Sequence, residues 1–125
     1  MSMPPHARLG YRGEQLTVRY LRKKGYKIIT VNFATSVGET DIVARAKDGT
    51  YCFVEVKSRT EGGMFPPADA VDGEKQKRLI SNAYRFFAAM HEDPEKVKHR
   101  YDIAEVTARS IFDADINYIE NAFFE

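Results

Sequence analysis

Two β-prone runs, residues 40–46 and 50–59, flank Asp48-Gly49. A hairpin at that dipeptide is the strongest short-range fold signal in the chain. In the second run Tyr51, Phe53, Glu55, Lys57 and Arg59 share one face, and Cys52, Val54, Val56 and Ser58 share the other. Both faces begin apolar, which is the pattern of a central strand covered on two sides. The sequence therefore predicts a sheet with helices on both faces.

The flanking segments extend this pattern. Residues 26–33 are rich in β-branched and aromatic side chains and read as a strand. Residues 13–24 read as a helix, stopped by Gly25 after a basic last turn. A second helix is expected over residues 72–90, with Leu79, Ala83, Phe86, Phe87 and Met90 as its buried stripe, and Pro94 bars its continuation. Residues 101–107 read as a fourth strand, and residues 111–123 as irregular structure with one short strand. The order αβββαβ implies an α/β fold with a mixed central sheet flanked by helices. One domain is expected over residues 1–125.

Composition narrows the class. Of 125 residues, 43% are hydrophobic and 30% charged, which excludes a disordered chain. No window approaches the length of a membrane-spanning apolar run, and residues 1–8 contain no apolar stretch suited to a signal peptide. Cys52 has no partner for an internal disulfide, and no Cys and His residues have zinc-site spacing. A reduced, cytoplasmic protein is expected. Charge is uneven: residues 1–38 carry seven Arg or Lys against one acid, Glu14, and residues 39–125 carry the acidic excess. Such asymmetry permits polyanion binding through the N-terminal part.

The tripeptide Glu55-Val56-Lys57 has no weight alone, because chance supplies about one acid-x-Lys in a chain of this composition. Its surroundings matter more. A hairpin centred on Asp48-Gly49 pairs residue i with 97 − i, which sets Asp41 beside Val56, between Glu55 and Lys57. Glu14 aligns with Val18 and Leu21 on the apolar helix face, where a carboxylate needs a partner. Converging carboxylates repel one another unless a cation sits among them, and oxygen donors without His or Cys favour Mg²⁺ or Mn²⁺. A lysine beside such an ion can position water and neutralise a phosphate. Metal-assisted phosphodiester hydrolysis uses all of these groups. The alternative is an ion-pair network of Asp41, Glu55 and Lys57 that only stabilises the fold.

Three motifs carry a resemblance: Gly10-x-x-Gly13-Glu14, Gly38-Glu39-Thr40-Asp41, and the run from Phe53 through Glu55-Val56-Lys57 to Arg59. With Asn32, Ala70-Val71, Lys75, Arg100-Tyr101-Asp102 and Asn121-Ala122-Phe123, they resemble the YraN-like family of bacterial endonuclease-like proteins. That family is similar to the PD-(D/E)xK nuclease superfamily, which includes archaeal Holliday-junction resolvases. The resemblance implies a restriction-endonuclease-like core. It also implies Asp41 and Glu55 as metal ligands with the Val56 carbonyl, Lys57 as catalytic lysine, and Glu14 as supporting carboxylate. Thr17 and Thr40 stand where that family usually has Ala and Ile.

The expected activity is a Mg²⁺- or Mn²⁺-dependent DNA endonuclease, directed at branched or structured DNA, with RNA left open. By analogy with resolvases it would act as a homodimer. Arg12, Arg22, Lys23, Lys24 and Arg59 are the expected phosphate contacts. The competing function is a catalytically silent nucleic-acid-binding or protein-interaction module on the same fold. Among secondary candidates, Glu39 reads as a hairpin-mouth acid, Lys75 as a solvent-exposed helical lysine, and Asp102 as a structural partner of Arg100.

Overall fold

The computed structural model describes residues 5–66, 70–110 and 112–125. Residues 1–4, 67–69 and 111 lie outside the described residues, so the leader reading and the start of the expected irregular stretch fall partly there. The elements are α1 (Pro5–Lys23), β1 (Lys27–Thr35), β2 (Gly38–Arg45), β3 (Tyr51–Thr60), α2 (Gly73–Ala89), β4 (His99–Ser110) and β5 (Asp113–Phe123). One sheet holds the strands in sequence order. Its neighbours are antiparallel except β3 and β4, which the α2 crossover makes parallel. This mixed sheet with a helix on each face has the architecture of a restriction-endonuclease-like core. Among the described residues no helix is long and apolar enough to cross a membrane.

The two faces of β3 feed two cores, as its alternation predicts. Tyr51 and Phe53 pack with Phe86 and Phe87 of α2, the Phe53 ring meeting theirs edge-on at 5.7 and 5.3 Å. Cys52, Val54 and Val56 pack under Leu21 of α1. Asp72 caps α2 by accepting the Lys75 backbone N–H at 2.9 Å.

Three expectations need correction. Helix α1 begins at Pro5 rather than near residue 13: proline suits a first helical turn, and Gly10 and Gly13 weaken the helical pattern without ending it. The stretch ending at Phe123 is a continuous eleven-residue strand, β5, rather than irregular structure with one short strand. Its Asp and Asn residues are poor strand formers, yet Ala114, Ile116 and Tyr118 alternate between them and pack on the α1-side core. The hairpin loop holds three residues instead of two, because the Ala46 N–H donates to the Thr50 carbonyl at 2.8 Å and Gly49 takes φ +92°. Register therefore moves by one residue, and Ile42 faces Val54.

Candidate active site

Alternation along β2 breaks at Asp41. Ile42 belongs to the α1-side core, whereas Thr40 accepts a hydrogen bond from Asn82 of α2, on the other side of the sheet. Residues two apart on a regular strand share a face, so the strand turns between them. The facing strand does the same. Val31 lines a cavity beside α1 while Phe33 packs on Phe86, and Asn32 between them has φ +52°. Such a backbone is uncommon for a residue other than glycine and is least costly for Asn. Asn82, fully buried, secures the turn: its Nδ2 donates to the Phe33 carbonyl at 2.9 Å and to Thr40 Oγ1 at 3.0 Å.

The break leaves Asp41 half-buried at the mouth between β2 and β3, where its Oδ2 accepts the Val56 N–H at 2.8 Å. Glu55 is buried nearby, and the two carboxylates line a cavity of ≈ 370 Å³ with Glu39, Lys75 and Arg78. Burial first and the Glu55 charge second push the Asp41 carboxyl up to about 7; the Val56 N–H opposes them.

Glu14 reaches this cluster from α1. Gly13 makes the approach close, since a Cβ there would lie 2.1 Å from Ser58 Oγ on β3. Burial, then the charge of Asp41, pushes the Glu14 carboxyl up to about 7, while a hydrogen bond with the Asn32 side chain pulls it down. Glu39 adds its charge to both carboxyls. The departures at Thr17 and Thr40 are accommodated by hydrogen bonding: buried Thr17 donates to the Gly13 carbonyl at 2.8 Å, and buried Thr40 accepts from Asn82.

The lysines divide differently from the sequence expectation. Lys75 Nζ lies 2.7 Å from Glu55 Oε1, so this helical lysine faces the site rather than solvent. The Asp72 cap positions its backbone in the first turn of α2. Helical Cβ atoms tilt towards the N-terminus, and the ammonium therefore leans into the mouth of the sheet. Lys57 pairs instead with Glu105, its register partner on β4, at 3.2 Å, and lies over the Phe65 ring.

The expected phosphate contacts also separate. Arg22 and Lys23 line the cavity beside α1, and Lys24 lies over Tyr20. Arg12 exerts its charge on Asp113 of β5. Arg59 donates to Thr107 and to the Gly63 carbonyl and stacks over Phe65, so it is held on the β4 side. Asp102 is a structural group. It is fully buried, and it accepts from Arg100, Tyr118 and the Asn121 N–H.

Among the described residues no set of three His, Cys, Asp or Glu side chains is arranged to hold a metal. The pair of carboxylates that most strongly affect each other by charge is Asp41 and Glu55. That pair fits a hard divalent cation, because Mg²⁺ is commonly bound through one or two carboxylates with water completing its shell.

Comparison with known proteins agrees with the motifs. The model of "Uncharacterised protein family UPF0102", the YraN family, matches residues 13–106. A UPF0102 protein of Alkaliphilus oremlandii is 41% identical over 93% of this chain and 97% of its own length. Those of Caldanaerobacter subterraneus subsp. tengcongensis and Chlorobium phaeobacteroides are 37% and 36% identical, over 92% and 93% of this chain and 93% and 88% of their own lengths.

Proposed function

We propose that this chain, which belongs to uncharacterised protein family UPF0102, is a metal-dependent endonuclease acting on DNA in the cytoplasm. The observation that carries this reading is the convergence of Asp41 and Glu55 at one mouth of the sheet, with the Asp41 carboxyl holding its proton unusually tightly. Two carboxylates brought together out of water need positive charge.

Asp41, Glu55 and the carbonyl oxygen of Val56 would hold Mg²⁺ or Mn²⁺. When bound, that ion lowers the pKa of a water and offsets charge developing on a phosphate. The chain supplies the rest. Asp41 is oriented by the Val56 N–H. Glu14, with its raised pKa, exchanges a proton near neutral pH at the α1 side of the cluster. Lys75 carries positive charge to Glu55, and Lys57, two residues along the same strand face, is held by Glu105 in the role of phosphate cation.

One observation favours a second reading. The Lys75–Glu55 ion pair already supplies a cation, as it would in a silent nucleic-acid-binding module. Cleavage of single-stranded, linear, flapped and four-way DNAs with Mg²⁺ or Mn²⁺, beside Asp41→Asn, tests the nuclease. Turnover abolished by Asp41→Asn is expected. No cleavage of any substrate, with no Mn²⁺-induced rise in Tm, selects the module.

A further inference from the structure

A cavity of ≈ 670 Å³ runs between α1 and the edge strand β1, with Glu14 and Asn32 among its walls. Glu14 comes from α1 and Asn32 from β1. In the β1–β2 pairing Asn32 lies across from Asp41, between the Val31–Ile42 and Phe33–Thr40 pairs, so the wall of the groove borders the candidate active site.

Its walls combine two properties. Tyr11 and Val31 leave 51% and 45% of their surfaces in solvent. Arg19, Arg22 and Lys23 bring three positive charges within little more than one turn of α1. None of the three forms an ion pair among the described residues. Like charges three or four positions apart on a helix repel. The helix dipole favours Arg22 and Lys23 in the last turn, but it explains neither Arg19 one turn earlier nor the exposed Tyr11 and Val31. A polyanion with flat apolar groups satisfies all five.

We propose that this groove is the channel for an unpaired DNA strand, which runs along α1 past Arg22, Arg19 and Tyr11 towards Asp41. Single-strand sites elsewhere combine a basic track with aromatic platforms on which bases stack. A slot of this volume has the size of a small-ligand pocket, which suits unpaired nucleotides. An extended peptide is a poor fit, because strand addition requires a regular edge and Asn32 interrupts the edge of β1. This inference deepens the nuclease reading and rests on it: the preferred substrate carries a single-stranded arm, such as a flap or an opened fork.

Fluorescence anisotropy with labelled oligo-dT and a matched duplex tests it, using the full chain as Asp41→Asn so that no cleavage intervenes. Oligo-dT is expected to bind at least tenfold more tightly than duplex. The triple change Arg19→Gln, Arg22→Gln, Lys23→Gln should weaken that binding by more than tenfold and flatten its salt dependence by about two to three phosphate contacts. Tyr11→Ala should weaken it by about fivefold or more, and Tyr11→Phe should not. Equal affinity for duplex, or a triple variant with parental Tm and unchanged affinity, overturns the channel. Failure of the nuclease reading looks different: oligo-dT binds through the groove, yet the parent cleaves nothing with Mg²⁺ or Mn²⁺.

Discussion

Lys75 of α2 and Glu55 of β3 form an ion pair at 2.7 Å, in which the carboxylate side chain is 8% exposed and the lysine 21%. The protein thus brings its own cation to the buried end of the acidic cluster. Lys75→Met is expected to cost about 1–3 kcal/mol without metal, less than a fully buried pair because the ammonium is partly solvated. Mn²⁺ should then raise the Tm of the variant more than that of the parent, since the carboxylates lose a competing charge. Thermal melts with and without Mn²⁺ decide it, and an unchanged metal-free Tm counts against the coupling.

Lys57 should behave differently. Its partner Glu105 is 24% exposed and its own side chain 18%, so Lys57→Met should cost no more than about 1 kcal/mol while the stem keeps its apolar contacts. Cleavage should fall by about 10² or more if the ammonium serves the phosphate. A large drop in Tm with unaltered turnover would identify Lys57 as a structural residue.

The raised carboxyls predict a pH dependence opposite to that of a salt-bridged acid. Glu14 and Asp41 hold protons up to about 7 in the folded state, against ordinary values of 4.5 and 3.8. Between those limits the folded protein binds protons that the unfolded chain has released, so stability falls as pH rises through this window and levels off above it. In metal-free protein the Tm contribution of these groups should be larger at about pH 6 than at about pH 8 (roughly one unit to either side of the upper limit). The double variant Glu14→Gln, Asp41→Asn should show a flatter profile than the parent; parallel profiles would refute the assignment.

Gly13 is where helix propensity and packing oppose each other. Alanine would favour the helix by about 1 kcal/mol, but its Cβ would lie 2.1 Å from Ser58 Oγ, an overpacking that costs about 1–3 kcal/mol. Gly13→Ala should therefore destabilise the protein in the parent and stabilise it in a Ser58→Ala background. Chemical denaturation of the four members of this cycle measures the coupling. Additive effects would mean that α1 does not rest on Ser58.

Much of the framework is local and so legible in the chain. The two apolar faces of β3 follow from period-two alternation, the end of α1 from Gly25 at φ +88°, and the start of α2 from Asp72 at its cap. Each depends on residues a few positions apart, and the element order as far as β4 followed from them. The pairing of Asp41 with the Val56 strand was also legible, because a hairpin ties sequence distance to spatial distance. Register was not: whether the loop holds two or three residues depends on the conformation of Gly49.

Tertiary structure alone decided which lysine meets Glu55. Period-two alternation puts Lys57 on the Glu55 face, but in a parallel neighbour the opposing residue is Glu105, and the nearer charge captures the ammonium. Lys75 arrives from an element whose distance to the sheet is set by Phe86 and Phe87 packing on Phe53. Asn82 carries no motif, yet it braces the strands where Asn32 and Asp41 leave regular geometry. Sequence patterns report the face on which a residue lies; the charge it meets there depends on chain segments that only the packed core brings together.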